Sequence, residues 1–227
     1  MARQTQSRIE HLAVTVPAGN AELAADIFLP DQTSGLVVFA HGSGSSRYSP
    51  RNRFVADEIN EGGLGTVLID LLTEEEEAID RETSELRFDI PLLGERLVAI
   101  TDWIVRQRRF ADLRLGYFGA STGAAAALLG AAERPTIIGA VVSRGGRPDL
   151  AGPALPNVLA PTLFIVGGED HVVLQLNREA MAQLPAQTKS KLEIIPGATH
   201  LFEEPGTLDQ VARLARTWFR AHLSVGR

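Results

Sequence analysis

The chain has 227 residues, no Cys, and a formal net charge of −6 from 22 basic and 28 acidic residues. That length suits a single domain over 1–227, long enough to hold a core without covalent staples. Without Cys there are no disulfides, thiolate metal sites or Cys nucleophile; Lys stands only at Lys189 and Lys191, which argues against a P-loop; and the acidic balance argues against binding nucleic acid by bulk phosphate attraction.

The first signals in chain order are IEHLAVTVP and ELAADIFLP, two β-rich runs separated by Pro17, Gly19 and Asn20. They predict an antiparallel hairpin. GLVVFA follows, a continuous apolar run that suits a strand buried on both faces, and it stops at HGSGSS. Pro50 opens a helical stretch closed by Gly62 and Gly63, and LGTVLID is the next buried strand. An acidic excursion over residues 73–89 comes next, then an amphipathic stretch from Pro91 to about Arg109. LRLGYFGAS reads as a strand and TGAAAALLGAAE as a helix rich in the best helix former. TIIGAVVSR, PTLFIVGGED and KLEIIPGAT add three strands, with helical stretches over 174–184 and 208–222. Strand and helix alternate from about residue 35 onward, which predicts an α/β fold: a mostly parallel sheet with helices on both faces. The longest apolar stretch, 124–132, is far short of the roughly 18 residues a spanning helix needs. The opening MARQTQSRIEHLAV has no apolar leader core. The expectation is a soluble, cytoplasmic protein with no membrane partner.

In open parallel sheets, ligands bind beyond the carboxyl ends of the strands. Three reactive residues follow strands directly: Ser121, Asp170 and His200. Ser121 sits in Gly119-Ala120-Ser121-Thr122-Gly123 between strand and helix, where only small flanking residues let the backbone turn sharply. A serine hydroxyl needs a base to act as a nucleophile. His200, in PGATHL, directly follows the last apparent strand and lies C-terminal to the other two candidates; His11, His41 and His222 fall elsewhere. Asp170 ends PTLFIVGGED and is the preferred acid to orient the imidazole, with Glu169 as its neighbouring rival. The order Ser, Asp, His on alternating strands and helices is that of the α/β-hydrolases.

The segment His41-Gly42-Ser43-Gly44-Ser45-Ser46 has Arg47 where a dinucleotide fingerprint needs its third Gly, and it lacks a P-loop Lys. It fits an oxyanion loop, with backbone N–H groups of Ser43 and Thr122 flanking the reacting carbonyl. His41 reads as a structural hydrogen-bonder of that turn. Together VVFAHGSGSS, GYFGASTGAAAA, IVGGEDHVV and IPGATHLFEEPG make the chain resemble the dienelactone-hydrolase-like branch of the α/β-hydrolases over nearly its whole length. The resemblance implies a Ser121–His200–Asp170 triad and an oxyanion hole from Ser43 and Thr122. Dienelactone hydrolase itself uses a Cys nucleophile, so its lactone substrate is not carried over to a chain with Ser121.

Residues 142–161 leave no room for a large lid, which predicts an open, shallow site. Arg144 and Arg147, in VVSRGGRPDL, are candidates to bind a substrate carboxylate. Residues 73–89 hold eight acids and two bases, so the whole net charge belongs to this excursion and the rest of the chain balances. Four consecutive acids at 74–77 cannot converge on one ion, and a solvated face is the better reading. The expected function is a metal-free, cofactor-free serine hydrolase acting on a small ester. An acyltransferase on the same triad and a non-catalytic ligand-binding protein of this fold are the alternatives.

Overall fold

The computed structural model describes residues 8–224, so the reading of the first seven residues as leaderless falls outside the described part. One eight-stranded sheet forms the centre, in the order β1-β2-β4-β3-β5-β6-β7-β8. Strands β1 (Ile9–Ala18) and β2 (Ala21–Pro30) make the expected hairpin, turning at Gly19, whose φ of 65° suits a residue without Cβ. β2 joins β4 (Gly65–Ile69) antiparallel. From β4 onward, β3 (Gly35–Ala40), β5 (Arg114–Ala120), β6 (Ile138–Arg144), β7 (Thr162–Gly167) and β8 (Ser190–Ile195) are all parallel.

Continuous apolar runs serve the central strands because each face meets helices. Leu36, Val38, Leu115, Tyr117 and Val141 point to the face packed by α3 (Ile90–Arg106) and α4 (Thr122–Glu133). Val37, Phe39, Phe118, Ala140 and Val142 point to the other, packed by α1 (Pro50–Glu61) and α6 (Thr207–Leu223). The period of two along each strand divides the core into these halves. Tyr117, fully buried, finds its polar partner in Thr101 of α3, and burial pushes its phenol pKa up.

The acidic excursion is not a bare solvated segment. It contains α2 (Glu74–Thr83), opened by a capping box in which Thr73 Oγ1 accepts from Glu76 N at 3.2 Å and Glu76 Oε2 accepts from Thr73 N at 2.8 Å. A short 3-10 turn, Leu86–Phe88, follows. Between β6 and β7 the chain forms only 3-10 turns over Pro148–Asn157, so that connection carries no lid domain. The last long connection carries α5 (His171–Gln183). Among the described residues, no helix is long and apolar enough to cross a membrane.

Candidate active site

Ser121 occupies the turn from β5 into α4 with φ 51° and ψ −122°, a conformation L-residues rarely adopt. Its neighbours make room for it. A Cβ on Gly119 would lie 2.4 Å from Ala124 Cα, and one on Gly123 would lie 2.2 Å from Ala40 O. Both glycines are therefore steric requirements of a sharp strand-to-helix turn. The turn is pinned by Ser121 N donating to Arg144 O at 3.2 Å and by Arg147 N and Ala124 N donating to Ser121 O at 3.0 and 3.1 Å. The positive end of α4 faces the site.

Across from it, His200 Nδ1 and Asp170 Oδ2 are 2.6 Å apart. Two loops hold this pair. Gly168 N donates to Ile195 O and Glu169 N to Ala198 O, which ties the end of β7 to the segment after β8. A Cβ on Gly167 would strike Ala198 O at 2.3 Å, so the loops touch backbone to backbone. Glu204 accepts from Thr199 Oγ1 at 2.7 Å and Thr199 N at 3.2 Å, which stiffens the histidine loop and lowers the Glu204 pKa. Asp170, and not the exposed Glu169, contacts the imidazole. The histidine loop also meets the segment that supports the Ser121 turn: a Cβ on Gly145 would lie 3.1 Å from His200 O and 3.6 Å from His200 Cε1. Among the described residues His200 hydrogen-bonds Asp170 but not Ser121. Such bonds are commonly long before substrate binds.

The loop after β3 lies against the elbow, with a Cβ on Gly42 only 3.0 Å from Ser121 Cβ. His41 is buried there; its Nε2 accepts from Leu71 N at 3.1 Å, so Nδ1 carries the hydrogen and donates to Gly42 O at 3.0 Å. Burial lowers the His41 pKa and keeps the ring neutral. The Gly42 carbonyl and the Ser43 amide share one peptide plane, so this bond fixes where Ser43 N–H points. It points at Thr122, donating to Oγ1 at 3.0 Å, and Ser43 Oγ also lies 3.0 Å from that oxygen. Ser43 and Thr122 are thus adjacent, with the Ser43 amide engaged by a side-chain hydroxyl. Sequence reading overlooked this hydroxyl; Thr122 was singled out for its backbone alone.

The two arginine candidates part company. Arg147 is held by Asp149 through two hydrogen bonds of 2.9 and 2.8 Å. Arg144 is 8% exposed, with Nε and Nη1 unpartnered. A cavity of about 530 Å³ is lined by Glu22, Arg47, Asp70 and Glu74 among others, and none of Ser121, Asp170 or His200 lines it. Among the described residues, no His, Asp and Glu group gathers that could hold a metal.

The parallel sheet with its antiparallel hairpin, the strained serine elbow and the late His–Asp pair define an α/β-hydrolase. More narrowly, the chain belongs to the dienelactone hydrolase family, whose profile matches residues 24–223. It is similar to a crystal structure of dienelactone hydrolase from Anabaena variabilis, at 57% identity and a TM-score of 0.92, covering 95% of this chain and 99% of that one. It shares its fold with Est1E from Butyrivibrio proteoclasticus, at 16% identity and a TM-score of 0.76 over 92% of this chain and 98% of that one. A Mycobacterium tuberculosis protein named "Putative phosphoribosyl transferase" is 56% identical over 210 residues, which are 92% of this chain. The chain spans only 46% of that relative's length.

Proposed function

We propose that the protein is a serine hydrolase of small carboxylic esters. The observation that carries this reading is the 2.6 Å His200–Asp170 pair standing over the same backbone segment that supports the strained Ser121. Asp170 Oδ2 accepts a hydrogen bond from His200 Nδ1–H, which fixes the tautomer and leaves Nε2 as the base. Ser121 Oγ attacks the ester carbonyl carbon while its proton passes to Nε2. The carbonyl oxygen becomes an oxyanion, received by the Ser43 and Thr122 amides at the N-terminus of α4. To receive it, the Ser43 amide exchanges its bond to Thr122 Oγ1 for one to substrate. The proton then goes to the departing alcohol, leaving an acyl-Ser121. Water, activated by the same imidazole, releases the acid and restores the hydroxyl. No metal or cofactor enters these steps.

The short β6–β7 connection, which holds no lid domain, supports a small or exposed acyl group. The transferase name belongs to relatives about twice as long, and nothing in this serine elbow serves displacement at a sugar carbon.

The test is pre-steady-state hydrolysis of p-nitrophenyl esters of short acids. The expected result is a burst of about one nitrophenolate per chain followed by slower turnover, lost in Ser121→Ala. Turnover that persists in Ser121→Ala at the wild-type rate would contradict the reading.

A further inference from the structure

Arg144 is a buried cation that the hydrolytic steps leave unused. It ends β6 opposite Ala120, and its carbonyl accepts the Ser121 amide. Alternation along the strand continues the series Ala140, Val142, which sends its side chain toward α1 and α6. More than nine-tenths of the residue is buried, and neither Nε nor Nη1 has a partner. Other shielded arginines have acids: Arg47 has Asp70, Arg87 has Asp80 and Arg96 has Glu76. Arg144 has none among the described residues. Burial, and after it the charge of Arg51 near the start of α1, lowers the Arg144 pKa to about 10, so it stays charged at neutral pH. Arg51 Nε is also buried and unpartnered, while its Nη1 reaches the exposed Glu203 at 3.4 Å.

A buried guanidinium without a counter-ion is costly, and a second cation beside it raises that cost. An anion would relieve both. The pair lies at the carboxyl edge of the sheet, one strand from the nucleophile, where a ligand of this fold is held. We propose that Arg144 and Arg51 form a subsite for a compact oxyanion, a carboxylate or a phosphate-type group, carried by the substrate that Ser121 attacks. The proposal rests on the serine-hydrolase reading and names its substrate class. The acid that balances Arg51 is at the surface, so an incoming anion displaces a weak pair and not a buried one.

The test compares three p-nitrophenyl esters of similar size: the butyrate, the hemisuccinate and the 3-phosphonopropionate. The wild-type protein should favour one of the anionic esters over the butyrate by about tenfold or more in kcat/KM, chiefly through KM. Which anionic ester is favoured separates carboxylate from phosphate-type recognition. Arg144→Gln should cut that preference about tenfold, and Arg51→Gln about threefold. Equal rates on all three esters, or an equal loss on all three in both variants, would overturn the subsite. Should Arg144→Gln fail to fold, Arg51→Gln carries the same comparison. If no ester is hydrolysed, the hydrolase reading falls, and calorimetric titration decides the subsite separately. Succinate or inorganic phosphate binding to wild type and more weakly to Arg51→Gln supports it; binding of neither ion overturns it.

Discussion

Ser121 holds a positive-φ backbone that costs about 1–3 kcal/mol, and Gly119, Gly123 and Gly42, lacking a Cβ, let the surrounding backbone pack closely enough to hold it there. The strain lifts its hydroxyl clear of the strand, where a base can reach it. In the proposed reaction Asp170 acts one residue further away, through its contact with His200. Asp170→Asn keeps the size of the side chain but favours the wrong imidazole tautomer. We expect kcat to fall about 10³–10⁴-fold with the thermal midpoint nearly unchanged, measured by ester hydrolysis and thermal melting. A loss of less than tenfold would mean that Asp170 is a helix cap and little more. The placing of Ser121, Asp170 and His200 just beyond strand ends was legible in the sequence, because each follows a strand whose apolar run announces itself. The hydroxyl of Thr122 was not, since only the folded turn shows the Ser43 amide aimed at it.

Elements show the same division. The buried strands and the long helices α3 and α6 lie close to where their periodicity places them. The helix α2 escaped notice because it has almost no apolar stripe, and its one buried residue is Asp80. Its signal was the Thr73-x-x-Glu76 spacing, hidden in a run of acids. Two of those acids are not free: Glu76 pairs with Arg96, and Asp80 Oδ2 accepts from Arg87 Nε at 2.6 Å. The arginine beside each lowers its carboxyl pKa, against the opposing effect of burial. Thr73→Ala should destabilise the protein by about 1 kcal/mol in urea unfolding, by removing the N-cap. At the elbow, Gly123→Ala drives a methyl into the Ala40 carbonyl and should cost about 3 kcal/mol or more. A Gly123→Ala protein of wild-type stability would show that the turn is looser than drawn here.

At the scale of the whole molecule, the eight acids of residues 73–89 divide into two, Glu76 and Asp80, that pair with arginines and fix α2, and six others that have no arginine partner among the described residues and leave an acidic face. Stability against acid depends on a different group. His41 is neutral and buried, with its pKa lowered from the ordinary 6.5. Below about pH 6.5 the unfolded chain binds a proton at this residue that the folded chain refuses, so stability falls as pH drops. His222, also lowered by burial, adds in the same direction. Between pH 6.5 and 5, His41→Asn should lose stability less steeply than wild type in urea titrations. An unchanged slope would assign the acid sensitivity to other groups.

The claim on which the rest depends is that Ser121 is the nucleophile. Treatment with a fluorophosphonate followed by peptide mapping tests it most directly. The expected result is one adduct per chain, on the peptide carrying Ser121, absent from Ser121→Ala and slowed in Asp170→Asn. Equal labelling of Ser121→Ala, or an adduct on another residue, would contradict it.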